Sequence, residues 1–109
     1  MFIPVVSFEE LKQKVKMRVM VDKTPILLLF FMDKVYAISD KCPHLGVSLE
    51  QGRYDAVEGK VTCRGHGAKI DIRTGNIDEK AHLAMFKLPT KQAKTFEVKI
   101  ENNQVYIQK

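Results

Sequence analysis

Cys42-Pro43-His44-Leu45-Gly46 and Cys63-Arg64-Gly65-His66-Gly67 are the two stretches of this chain whose residue types can do chemistry. Each offers one thiol and one imidazole, and each runs into glycine. Together they hold both cysteines of the chain and two of its three histidines. Thiolate and imidazole suit soft and borderline metals, so the pattern points to a metal centre with two sulfur and two nitrogen ligands.

The paired motif resembles the Rieske family of [2Fe–2S] proteins, whose pattern is C-x-H, a gap of about fifteen to twenty residues, then C-x-x-H. Here the 18 residues 45–62 separate the two motifs. The surroundings are similar to the family as well. Pro43 follows the first cysteine, Gly46 closes the first motif, and His66-Gly67 closes the second. Ile70-Asp71-Ile72-Arg73-Thr74-Gly75 resembles the strand and turn that follow the cluster in Rieske ferredoxins. Leu88-Pro89 resembles the family's proline loop. The likeness runs from about Val5 to Ile107.

The resemblance implies one [2Fe–2S] cluster, with Cys42 and Cys63 on the inner iron and His44 and His66 on the outer one through Nδ1. Two ferric ions and two sulfides carry a formal core charge of +2. Two thiolates cancel it and neutral imidazoles add nothing, so the oxidised centre is neutral and the reduced one carries a single negative charge. An electron enters a neutral centre more easily than the dianionic centre of a four-thiolate cluster, so histidine ligation raises the potential. The outer histidine edges are the implied electron port. Gly46, Gly65 and Gly67 allow positive φ and close backbone approach, so that N–H groups can point at cluster sulfurs. With Pro89 they are the expected residues around the ligands.

Respiratory Rieske proteins carry an extra cysteine in each loop, and here Val47 and Gly65 stand at those places. Their serine and tyrosine donors to sulfur correspond to Ala68 and Ile70, which cannot donate. Fewer donors leave the reduced state less stabilised, which predicts a midpoint near the low end of the Rieske range, about −150 to 0 mV.

The same four ligands also meet the tetrahedral demand of zinc. Zinc fingers usually pair two cysteines and then two histidines, whereas each motif here mixes one of each, which suits a two-iron cluster better. A Cys42–Cys63 disulfide is disfavoured, because nothing marks an oxidising compartment. With every ligand position filled by protein, no iron site is left open for substrate, and the chain is expected to be no enzyme.

A chain of 109 residues with 45% hydrophobic side chains forms one domain with a real core and no room for a flavin domain. Partners must therefore supply and receive electrons: a flavoprotein reductase, and an oxygenase or other acceptor. The small subunit of a nitrite reductase is a second family role. The net charge of +5 favours an acidic partner. A sequence pI of about 9.3 also admits, from a different class, a zinc-stabilised nucleic-acid-binding module. No recognised binding motif supports that module, and no nucleic acid is expected. The N-terminus lacks a secretory pattern, and the seven apolar residues 26–32 fall far short of the ~20 a membrane span needs. The expectation is a cytoplasmic electron carrier.

The elements that must position the motifs read mostly with period two, so the fold class is all-β. The resemblance implies a Rieske-like antiparallel β sandwich or barrel with an inserted cluster-binding subdomain. Ser7-Phe8-Glu9-Glu10 predicts one short helical turn. Lys12, Lys14, Lys16 and Arg18 alternate with mostly apolar residues, which predicts a strand over 11–19 with a basic face. Residues 26–31 and 35–38 read as a hairpin about Asp33-Lys34. Residues 53–57 and 60–63 flank Glu58-Gly59, and 69–73 and 76–77 flank Thr74-Gly75. Residues 95–101 read as one strand, turning at Asn102-Asn103 into 105–107. The single domain 1–109 then divides into a base of about 1–38 and 86–109 and a cluster-binding subdomain of about 39–85. Both motifs are expected at hairpin tips. His82 is read as a surface or packing residue, and Lys41 and Arg64, beside the ligand cysteines, as solvated loop residues with a docking or potential-tuning role as the alternative.

Overall fold

The computed structural model describes residues 1–40, 48–63, 69–79, 82–83, 86–87 and 93–108, with 77–79, 82–83 and 86–87 described by their backbone. Chain order is β1 (Phe2–Ser7), α1 (Phe8–Lys14), β2 (Lys16–Val21), β3 (Thr24–Phe31), β4 (Lys34–Ser39), a 3-10 turn (Leu49–Gln51), β5 (Arg53–Asp55), β6 (Lys60–Thr62), β7 (Lys69–Asp71), β8 (Ile77–Glu79), β9 (His82–Leu83), β10 (Phe86–Lys87), β11 (Thr95–Phe96), β12 (Val98–Glu101) and β13 (Gln104–Gln108). The all-β expectation holds, with α1 the one α-helix among the described residues.

Every described pairing is antiparallel. The central sheet has the order β11-β4-β3-β2. A three-stranded sheet β1-β13-β12, a four-stranded sheet β5-β6-β7-β8 and the β9-β10 pair complete the set. Strand β3 explains why its sequence is almost continuously apolar. Leu27, Leu29 and Phe31 pack into a core shared with Leu49, Val61, Cys63, Ile70 and Ile72. Ile26 and Leu28, on its other face, join Leu11, Val21, Val105 and Ile107. A strand buried on both faces has no polar side to alternate with.

Three two-residue hairpin turns hold both residues at positive φ: Asp22-Lys23 (48° and 70°), Met32-Asp33 (50° and 64°) and Asn102-Asn103 (51° and 63°). This backbone twist suits the right-handed twist of the flanking strands. Asn102-Asn103 turns where expected. The β3–β4 turn falls one residue earlier than expected, at Met32-Asp33, and Lys34 already pairs with Phe31.

The predicted basic strand over 11–19 is corrected. Residues 8–14 form a helix, and only the stretch from Lys16 onward is strand. Ser7 Oγ accepts from the Glu10 N–H at 3.1 Å, Glu9 and Glu10 sit in the first turn, and Lys12 and Lys14 in the last. Both charge placements favour the helix dipole. The helix stops at Val15, whose φ of 69° turns the chain into β2. The four basic residues therefore share no single face. The strand expected over 95–101 is likewise two. Thr95 and Phe96 pair with β4, whereas Val98–Glu101 pairs with β13, so the chain changes sheets at Glu97.

Candidate metal centre

Cys63 follows directly on β6 and is 1% exposed, within the core that contains Leu49, Val61, Ile70 and Ile72. It is a free thiol. Of the four expected ligands it is the one among the described residues; Cys42, His44 and His66 lie outside them, as do Gly46, Gly65, Gly67 and Pro89. The described residues alone contain no group of three or more His, Cys, Asp or Glu side chains placed to hold a metal. His82 belongs to β9, with Lys87 as its cross-strand partner.

What the structure does show is how the chain enters and leaves the motifs. The first is approached from β4 through Asp40. Asp40 N–H donates to the Pro25 carbonyl at 2.9 Å, which prolongs the pairing of β4 with β3 by one residue. The Asp40 side chain is fully buried and holds three donors. Arg18 Nε reaches Oδ2 at 2.7 Å, Ser48 Oγ reaches Oδ2 at 2.6 Å, and the Glu50 N–H reaches Oδ1 at 2.8 Å. Ser48 and Glu50 lie where the chain returns from the motif. Lys16 Nζ donates to the carbonyls of Glu50 and Gly52. In register, Lys16 faces Leu29 and Arg18 faces Leu27, so both cations start from the β2 face that looks towards the Cys63 core.

On either side of the second motif, Thr62 of β6 pairs with Lys69 of β7. The two approaches meet at Gly52. A β-carbon there would overlap the carbonyl oxygen of Thr62, the residue before Cys63. Only glycine lets the backbone leaving the first motif lie this close to the backbone entering the second. At the β7–β8 turn, Gly75 has φ +80° and accepts from the Ala93 N–H at 2.9 Å, which ties this turn to the chain just beyond residues 88–92.

Two titrating groups near this sheet are shifted. Hydrogen bonding from Arg73 lowers the Asp71 carboxyl below its ordinary range. Burial, reinforced by Asp55, pushes the Tyr54 phenol up to about 12. Tyr54 Oη donates to the Phe30 carbonyl at 2.8 Å, joining β5 to β3.

The donor set fits an iron–sulfur centre. A thiolate confined to an apolar core is costly unless a metal shares its charge. Cys63 stands in such a core, and Ile70, in the same cluster, carries no donor. Sequence reasoning missed Asp40, Arg18, Lys16 and Gly52. The available signal was an aspartate two residues ahead of Cys42, a charge in a place the fold buries.

Comparison with known proteins agrees. The Rieske [2Fe-2S] domain matches residues 1–102. Apoptosis-inducing factor 3 of Homo sapiens is 33% identical over 82 residues; the match covers 75% of this chain but 12% of that protein, so the chain corresponds to a small part of it. The 3-phenylpropionate/cinnamic acid dioxygenase ferredoxin subunit of Escherichia coli (strain K12) is 28% identical over 88 residues, covering 80% of this chain and 76% of that protein. The ferredoxin of carbazole 1,9a-dioxygenase from Nocardioides aromaticivorans IC177 has the same fold, with a TM-score of 0.80, 24% identity, and coverage of 97% of this chain and 95% of that one. With its buried Cys63 at the end of an antiparallel strand, and its match to the family over residues 1–102, the chain belongs to the Rieske [2Fe-2S] domain family, whose cofactor is a [2Fe–2S] cluster.

Proposed function

We propose that this protein is a one-electron carrier that receives electrons from a flavoprotein reductase and delivers them to a terminal oxygenase. The observation that carries the reading is the Rieske domain match over 1–102, in a chain whose paired motifs contain every cysteine it has. A ferredoxin subunit of a dioxygenase at 28% identity, of comparable length, supports the oxygenase as acceptor.

When bound, a [2Fe–2S] cluster takes up and gives back one electron. Cys42 and Cys63 supply two thiolates that balance the core charge, and His44 and His66 supply neutral imidazoles. Gly46, Gly65, Gly67 and Pro89 are the residues that this reading puts around the ligands. The core around Cys63 would keep water from its thiolate. The division into a base of about 1–38 and 86–109 and a cluster-binding subdomain of about 39–85 is supported by β5–β8 pairing only with one another among the described strands. No described helix is long and apolar enough to cross a membrane. The likeness to a bacterial ferredoxin subunit supports a cytoplasmic carrier as part of this proposal.

The test is reconstitution with a nicotinamide-dependent flavoprotein reductase and a redox-dye or oxygenase acceptor. Electron flow should rise with the concentration of this protein and vanish for Cys63→Ser. A cluster-loaded protein that the reductase cannot reduce, but that copurifies with a catalytic subunit, would instead make it a fixed subunit.

A further inference from the structure

The Asp40 carboxylate is the buried charge of the described structure that the electron-carrier reading leaves unexplained. It is 1% exposed, and it gathers one charged and two neutral donors from two parts of the chain. Arg18 comes from β2, Ser48 and Glu50 from the return of the first motif. Cys42 is two residues onward, a span of at most about 7 Å between α-carbons.

We propose that Asp40 is the positioning residue of the first ligand motif, and that Arg18 balances its charge. The inference rests on the reading of Cys42 and His44 as cluster ligands. The geometry explains why the residue is an aspartate. Two carboxylate oxygens accept from Arg18 and Ser48 on one side and from the Glu50 backbone on the other. An asparagine has one acceptor oxygen and would turn its amide N–H₂ against a donor. The departure and the return of residues 41–47 are thus held by one side chain. Leu49 N–H adds a long bond, at 3.4 Å, to the Asp40 carbonyl.

That solution has an electrostatic consequence. A buried negative charge this close to a ligand disfavours the electron that a carrier must accept. Arg18 is 40% exposed at its side chain, and its Nε lies on the fully buried carboxylate at 2.7 Å. It offsets that charge without being buried itself. Anchorage therefore follows the hydrogen bonds, and the potential follows the net charge of the pair.

The experiment compares Asp40→Asn, Arg18→Gln and the double variant with the parent, by redox titration of the bound cluster and by its rate of loss to a chelator. Asp40→Asn leaves Arg18 uncompensated and should raise the midpoint. Arg18→Gln leaves Asp40 uncompensated and should lower it. The double variant should return near the parental midpoint while still losing iron several-fold faster, because charge is restored and geometry is not. If Asp40→Asn does not fold, the downward shift in Arg18→Gln decides the charge claim, and Ser48→Ala, with faster iron loss at an unchanged midpoint, decides the anchorage claim. Equal midpoints in the folded variants, or parental chelator rates in Asp40→Asn or Ser48→Ala, would overturn the inference. A parent without a histidine-ligated cluster would instead overturn the electron-carrier reading, which separates the two failures.

Discussion

Gly52 and Thr62 touch backbone to backbone: any β-carbon at Gly52 would overlap the Thr62 carbonyl oxygen, one residue ahead of Cys63. The contact joins the return of the first motif to the approach of the second. Motifs separated by 18 residues in sequence are therefore tied together at their bases. Lys16 bonds to the carbonyl of the same glycine, so β2 takes part in the junction.

Gly52→Ala should accordingly destabilise the fold by about 1–3 kcal/mol, the usual cost of forcing volume into a packed place. Its φ of −84° is open to alanine, so the cost comes from the overlap alone. Urea unfolding checks the stability, and iron content per chain checks the consequence, since displacing Thr62 shifts Cys63. An unchanged midpoint with full iron would contradict the contact.

Tyr54→Phe should cost about 1 kcal/mol by removing the hydroxyl that bonds to Phe30, within the ordinary range for one hydrogen bond. The parent carries a pH signature as well. Burial raises the Tyr54 pKa from 10.0 to about 12 in the fold. Between those values the folded state holds a proton that the unfolded state has released. The stabilisation is fully present below pH 10 and is lost as the pH rises towards 12. Ultraviolet titration should show one tyrosine ionising last, and Tyr54→Phe should remove that step. A late step that persists in the variant would contradict the assignment.

The potential follows from what surrounds the sulfur. Ile70, at the position of a family hydroxyl donor, is an apolar side chain buried in the same core as Cys63. With Ala68 at the other position, the midpoint should lie at about −150 to 0 mV. A parental midpoint above about +150 mV would sink this expectation.

The ligand types were legible because metal chemistry tolerates few residues, and two cysteines in matched motifs leave little else to read. The β class was legible in the alternation of Val98 and Ile100 with Lys99 and Glu101, and in the continuous run of β3. The helix was half legible. Ser7 and Glu10 announced its start, but the alternation of Leu11 with Lys12 and of Gln13 with Lys14 imitated a strand until Val15 turned the chain. The sheet change at Glu97 leaves no mark on an alternating pattern, because both halves remain strand. Asp40's position ahead of Cys42 was visible, but its role was not. Its partners stand at 18, 48 and 50, and only the fold brings them to one carboxylate.

The most direct test of mixed ligation is the visible and EPR spectrum of the purified protein before and after dithionite. A red-brown protein, whose reduced form gives a rhombic signal with an average g below that of four-cysteine clusters, is the result expected for two thiolates and two imidazoles. A colourless, EPR-silent protein that holds zinc without iron or sulfide would contradict it.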